Sequence, residues 1–175
     1  MAFPDGFTTE RLRAERLVPE HLPALRHIHC DPMLMATLGG VRDEASTAAY
    51  LERNLRHWDE YGFGIWVLRE PNDGRVAGLG VLRHATVDGA DEVEVGYGLY
   101  PEFWGRGLAT EIASECIRLG RERLDLSSVV GLTLASNLRS QRVLTKVGLT
   151  YDRDVIHEGI PQVLFRSAAP AAPPS

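Results

Sequence analysis

Trp104-Gly105-Arg106-Gly107-Leu108-Ala109-Thr110-Glu111 places two glycines in a turn directly ahead of an amphipathic helical pattern. Gly105 and Gly107 remove side chains that would hold a ligand off the backbone. A helix starting near Leu108 presents, in its first turn, N–H groups without intrahelical partners and the positive end of its dipole, which together suit a phosphate. Arg106 adds a fixed positive charge to the same turn. Glycine pairs before helices also serve as plain connectors. The preceding run Glu92-Val93-Glu94-Val95-Gly96-Tyr97-Gly98-Leu99-Tyr100-Pro101 sharpens the reading, because it predicts a strand feeding that turn.

Working outward, the helical pattern continues from Leu108 to about Arg123 and returns to Val129-Val130-Gly131-Leu132-Thr133-Leu134-Ala135, a near-continuous apolar run suited to the middle of a sheet. Strand, helix and strand in that order predict a right-handed parallel crossover. Upstream, Phe7 to Ala14 predicts a first strand. Leu22, Leu25 and Ile28 recur at helical spacing over Pro19–His29, and Tyr50, Leu51, Leu55 and Trp58 do so over Ser46–Tyr61. Ile65–Leu68 and Val76–Leu82 predict an antiparallel hairpin turning at Pro71-Asn72-Asp73-Gly74. A short helix from Leu138, a strand after Gly148 and another over Gln162–Arg166 complete an α/β domain spanning residues 7–167. Its sheet is expected to be mixed and mostly antiparallel, with one parallel pair. The Ala/Pro-rich tail, residues 168–175, has little to bury and is expected to be disordered.

At 175 residues, with 44% hydrophobic and 25% charged residues, the chain suits one soluble domain with a substantial core. A formal net charge of -5 argues against a general nucleic-acid binder, which needs a basic face. Two cysteines, Cys30 and Cys116, are too few for a disulfide framework or a zinc site, and His27, His29, His57 and His84 carry no metal-protease spacing, so no metal is expected. The start of the chain lacks a signal-peptide pattern and no run is long enough to cross a bilayer, so a cytoplasmic protein without a membrane partner is expected.

With these motifs in view, the chain resembles the GNAT superfamily of acetyl-CoA-dependent N-acetyltransferases, in particular the ribosomal-protein N-terminal acetyltransferase branch. The resemblance rests on Thr9-Glu10-Arg11-Leu12-Arg13-Ala14, Asp31-Pro32, Gly62-Phe63-Gly64-Ile65-Trp66, Val93-Glu94-Val95-Gly96-Tyr97, the glycine-turn block, Asn137-Leu138-Arg139-Ser140 and Val143 to Leu149, in that order. It implies the GNAT fold, in which the parallel pair splays to admit the pantetheine arm of acetyl-CoA. It also implies that backbone groups of Gly105, Arg106, Gly107, Leu108, Ala109 and Thr110, with the Thr110 hydroxyl, hold the diphosphate, that Trp104 belongs to this cofactor-binding turn with its side chain packing it, and that Leu99 and Tyr100 lie at the splay. Asn137 would contact the pantetheine arm and Ser140 would lie near the phosphates. One position departs from the family pattern: Leu144 stands where many members carry a tyrosine that protonates the leaving thiolate.

Glu94, between Val93 and Val95, projects to the opposite sheet face if the valines face the core. It is then either a general base or a structural carboxylate. The same alternatives apply to Asn137 and Ser140, which also suit helix capping. Arg142 and Lys146 are candidates for the adenosine phosphate or plain solvated charges. Gly96 and Gly98 invite a bulge that would open the gap. Cys116 shares an apolar helix face with Ile112 and Leu119, the pattern of an inert buried thiol. The expected reaction is acetyl transfer from acetyl-CoA to a primary amine by direct attack, with Glu94 and Ser140 as catalytic candidates. A peptide amino terminus stands ahead of a small-molecule amine as acceptor, a non-catalytic acyl-CoA-binding module is the alternative class, and a homodimer is left open. Asp91, Glu92 and Glu94 lead to the expectation of a cationic acceptor.

Overall fold

The computed structural model describes residues 3–168, so the expected disordered tail lies, apart from Ala168, outside the described residues. Its elements in chain order are β1 (Gly6–Thr8), β2 (Arg13–Arg16), α1 (Leu22–Cys30), α2 (Pro32–Met35), α3 (Glu44–Tyr61), β3 (Ile65–Arg69), β4 (Val76–Val87), β5 (Ala90–Leu99), α4 (Leu108–Leu124), β6 (Val130–Thr133), α5 (Leu138–Lys146), β7 (Leu149–His157) and β8 (Ile160–Ser167). The strands form one sheet in the order β1-β2-β3-β4-β5-β6-β8-β7. Every pairing is antiparallel except β5–β6. The predicted α/β class and the single parallel pair are therefore both present.

Three predicted features change in detail. Phe7 to Ala14 is not one strand but the hairpin β1–β2, in which Phe7 lies opposite Ala14. The chain turns because the Thr9 amide donates to the Leu12 carbonyl (2.9 Å) and the Leu12 amide donates to the Thr9 hydroxyl (3.1 Å). β4 runs to Val87 and turns through Asp88 and Gly89, both at positive φ (50° and 79°), into β5. That two-residue turn suits the twist of the flanking strands. Finally, no bulge interrupts the β4–β5 register, which runs unbroken from Val87↔Ala90 to Gly78↔Leu99. Gly98 instead makes room for a neighbour: a Cβ there would come 2.8 Å from Leu38 Cδ1.

The core forms where the helices cover the sheet. Trp58, Trp66, Phe103, Leu12, Leu25, Ile28 and Leu68 are fully buried, and Trp58 donates through Nε1 to the Ile65 carbonyl at 3.0 Å. α3 is bounded by Asp43, whose side chain accepts from the Ser46 amide (2.8 Å), and by left-handed Gly62. α4 packs on β4 and β5 through Ile112, Cys116 and Leu119, all buried. Burial pushes the Cys116 thiol pKa well above its ordinary value, as an inert core thiol requires.

Candidate active site

β5 and β6 run parallel with Glu94 opposite Val130, and beyond that point they part. A cleft of about 680 Å³ enters the gap, lined on one side by Gly96 to Leu99 and on the other by Leu132 to Leu134. That volume lies within the range of small-molecule sites. The sequence that breaks the pairing is the turn after β5. Pro101–Phe103 forms one 3-10 turn, and Gly105 and Gly107 then adopt left-handed φ of 71° and 75°. Gly107 is the N-cap of α4, and the first intrahelical bond is from the Glu111 amide to the Gly107 carbonyl (3.0 Å). The amides of Leu108, Ala109 and Thr110 therefore have no partner within the helix, and these three residues line the cleft. A Cβ added at Gly105 would meet open space, so the backbone there is approachable.

Arg11 anchors this turn. Its Nη1 donates to the Arg106 carbonyl (2.6 Å), while its Nε and backbone N–H donate to the two carboxylate oxygens of Glu111 (2.8 Å each). The β1–β2 turn is thus tied to the glycine turn from outside. Trp104 packs the turn from inside: its Nε1 donates to the Leu99 carbonyl (2.8 Å), and the Arg139 guanidinium sits 3.9 Å from its ring centroid.

Of the residues singled out from sequence, Glu94, Leu99, Trp104, Gly105, Gly107, Leu108, Ala109, Thr110, Asn137 and Ser140 all line the cleft. Two do not. The Arg106 side chain pairs with Glu70 (3.5 Å) and lies over the Phe103 ring, and Arg106 is not among the residues that line the cleft. Tyr100 is likewise set aside; its amide donates to the Ala77 carbonyl (2.9 Å), which continues the β4–β5 ladder past the splay. Arg142 and Lys146 line the cleft on α5.

Asn137 caps α5, accepting from the Ser140 amide at 3.2 Å. Ser140 in turn meets Tyr97 of β5: the Tyr97 hydroxyl lies 3.1 Å from the Ser140 carbonyl, to which it donates, and 3.0 Å from the Ser140 hydroxyl. Burial raises the Tyr97 pKa to about 12 against the lowering effect of Ser140, so the phenol keeps its proton. Leu144, in the position where many family members carry tyrosine, is buried and packs on Gly131, where any Cβ would come 2.4 Å from Leu144 Cδ2. Hydrophobic packing, not a hydroxyl, occupies that position.

Glu94 faces the cleft as its place between Val93 and Val95 predicts, and both valines are buried. Directly opposite on β4 stands Arg83, whose Nε donates to Glu94 Oε2 at 3.1 Å. Burial opposes the charge on Arg83, but Glu94 and Tyr50 hold its pKa above the ordinary guanidinium value. Asp91 and Glu92 do not join Glu94 in the cleft: Asp91 pairs with His84 (3.2 Å) and Glu92 with Arg166 (2.7 Å). Sequence reasoning misses Arg83, Tyr97 and Arg42, which also line the cleft.

Residues 11–150 match the acetyltransferase (GNAT) domain family. The chain belongs to that family. The acetyltransferase from Agrobacterium tumefaciens strain C58 superposes with a TM-score of 0.82 at 26% identity, covering 95% of each chain. RimL, a ribosomal L7/L12 alpha-N-protein acetyltransferase solved with coenzyme A, shares the fold with a TM-score of 0.75 at 17% identity, over 98% of this chain and 100% of RimL. The FsC-acetyl coenzyme A-N(2)-transacetylase of Aspergillus fumigatus is 36% identical over 96 residues, which is 51% of this chain and 40% of that enzyme. The chain is an acetyl-CoA-dependent N-acetyltransferase of the GNAT fold. Among the described residues no helix is long and apolar enough to cross a membrane, and no group of three or more potential metal ligands is present.

Proposed function

We propose that the cleft between β5 and β6 seats acetyl-CoA with its diphosphate on the amides of Leu108 to Thr110, and passes the acetyl group directly to a primary amine. The observation that supports this most is the coincidence, in one opening, of unpartnered helix amides, a parted strand edge on Gly96 to Leu99, and Glu94 with Ser140 on the walls. The co-substrate supplies an activated acyl group as a thioester. The strand edge offers backbone partners to an extended, amide-containing arm as an added strand would.

Glu94 takes the proton from the acceptor ammonium, through water, and the freed nitrogen attacks the thioester carbon. The C–N bond forms as the C–S bond breaks, and the sulfur leaves with the electron pair and accepts one proton. Ser140, hydrogen-bonded to the protonated Tyr97, is the donor in place of the missing tyrosine. Holding both reactants in one cleft supplies much of the acceleration.

A peptide amino terminus fits this chemistry because its reference pKa, about 8, lies well below the ~10.4 of a lysine amine. A small amine is the second reading. The guanidinium-lined wall at Arg42 and Arg83 favours a small amine that also carries an anionic group. Free thiols at Cys30 and Cys116 suit a reducing, cytoplasmic setting. Initial rates with acetyl-CoA test the reading: a free-amino-terminus peptide, its blocked counterpart with an internal lysine, and a set of small amines are compared. Acetylation of the free peptide or of small amines supports it. Tight acetyl-CoA binding with no acceptor turned over supports a non-catalytic binding module instead.

A further inference from the structure

The wall of the cleft away from α4 is cationic, not acidic. Arg83 is held by Glu94 through Nε alone, and among the described residues its two terminal nitrogens make no hydrogen bond, although its side chain is only 22% exposed. Arg42 lines the same cleft, and the charges of both arginines act on Tyr50. The Arg42 guanidinium stacks 4.7 Å from the centre of the Tyr50 ring, and among the described residues it forms no ion pair. Its position is set by its own backbone, since the Arg42 amide donates to the His29 carbonyl at 2.9 Å. The Tyr50 hydroxyl, on the same wall, has no hydrogen-bond partner among the described residues, and Tyr50 is only 8% exposed. His29 adds no charge, because burial and then Arg42 lower its pKa to about 4. The carboxylates on this part of the cleft are Glu94, already engaged, and Glu158, exposed on the β7–β8 turn at the rim.

Arg42 has no carboxylate partner among the described residues and the terminal N–H bonds of Arg83 stay open beside its pair with Glu94, so the wall has room for one more anion; a carboxylate is the planar partner that a guanidinium fork fits. Around them the lining is apolar, through Met33, Leu34, Leu38 and Val81. We infer that the acceptor is an amino-acid-like amine: its own carboxylate is held by Arg42 and the free end of Arg83, its apolar side chain lies on Leu34 and Leu38, and its amine lies beside Glu94. Arg83 links the two ends, with Nε on the base and its terminal nitrogens toward the substrate carboxylate. This inference rests on the acetyl-transfer reading above. In the step the ammonium loses one proton to the base and another on amide formation, and the leaving thiolate takes up one. The products are an N-acetyl amino acid and free thiol, with the carboxylate unchanged.

The test compares matched acceptors on the full chain with acetyl-CoA: leucine, methionine and phenylalanine, their amides, and their decarboxylated amines. A charge-assisted contact of this kind predicts a kcat/KM for the acids about tenfold or more above that of the amides and simple amines. In Arg42→Gln, checked for folding by its melting curve, that preference collapses to within about threefold. Calorimetry on the coenzyme A-loaded protein gives a readout independent of turnover: N-acetyl-leucine binds more tightly than N-acetyl-leucinamide, and Arg42→Gln removes the difference. If amides or simple amines are acetylated as well as the acids in the unaltered protein, this inference is overturned while the acetyltransferase reading stands. If only free-amino-terminus peptides are acetylated, the inference again fails and the peptide reading holds. If no amine of any class is acetylated although acetyl-CoA binds, the catalytic reading itself fails and this inference with it.

Discussion

The hydroxyls of Tyr97 and Ser140 lie 3.0 Å apart, joining β5 to the first turn of α5 across the mouth of the opening between β5 and β6. With the Tyr97 pKa raised to about 12, the pair carries a proton throughout the ordinary pH range. Ser140→Ala is expected to lower kcat by about tenfold to a hundredfold, and Tyr97→Phe by less, with acetyl-CoA affinity held within a few fold. Steady-state kinetics alongside calorimetry separates the two effects. Equal losses of kcat and of acetyl-CoA binding would make the pair a structural clasp.

Glu94→Gln keeps shape and removes the negative charge. Turnover should fall by about a hundredfold or more while acetyl-CoA binding changes little. Because Glu94 is the carboxylate hydrogen-bonded to half-buried Arg83, the variant is also expected to lose roughly 1–3 kcal/mol of stability. Denaturant unfolding reads that cost independently of rate, and wild-type turnover in a folded variant would leave Glu94 as Arg83's structural partner.

Gly107 sits at φ 75° with Arg11 Nη2 only 3.4 Å from the place a Cβ would occupy. Gly107→Glu strains the backbone, crowds the anchor and sets a negative charge at the start of α4, so acetyl-CoA affinity should drop by about tenfold or more. Arg11→Ala, which frees the turn without altering its backbone, should weaken binding by only a few fold. Unchanged affinity in a folded Gly107→Glu protein would remove the diphosphate from this turn.

Acid should destabilise the protein through His29. It is buried, its Nδ1 lies 2.9 Å from the Thr47 hydroxyl, and its folded-state pKa of about 4 is below the ordinary value of 6.5. The unfolded chain therefore binds the proton first as pH falls. The stability present above pH 6.5 is lost between 6.5 and about 4, by up to roughly 2–3 kcal/mol. Urea midpoints across that window should fall less steeply in a folded His29→Gln variant; identical slopes would assign the acid sensitivity elsewhere.

Much of the fold and of the cleft is legible in the amino-acid sequence. Glycines at 105 and 107 ahead of an amphipathic helix read as a ligand-binding turn, and Glu94 between two valines reads as facing away from them. Arg83 stays hidden for want of one local signal: Asp88-Gly89 is a two-residue hairpin turn, and once Val87 is paired with Ala90, counting back along the strands sets Arg83 against Glu94. The β1–β2 turn escapes notice because Thr9 closes it through its hydroxyl, without glycine or proline. Arg42 leaves no trace in the sequence pattern, since its place depends on how the loop before α3 lies over Tyr50. Arg106 reads differently for the converse reason: a cation inside the glycine turn pairs with Glu70, a partner distant in sequence.

The most direct measurement counts thiol released against N-acetyl product formed when acetyl-CoA is mixed with the protein and a primary amine. One thiol for each acetylated amine, with little thiol released when the amine is withheld and little product from Glu94→Gln, is the predicted result. Thiol release that proceeds equally without an amine, or bound acetyl-CoA that yields neither thiol nor amide with any amine, would contradict transfer in this cleft.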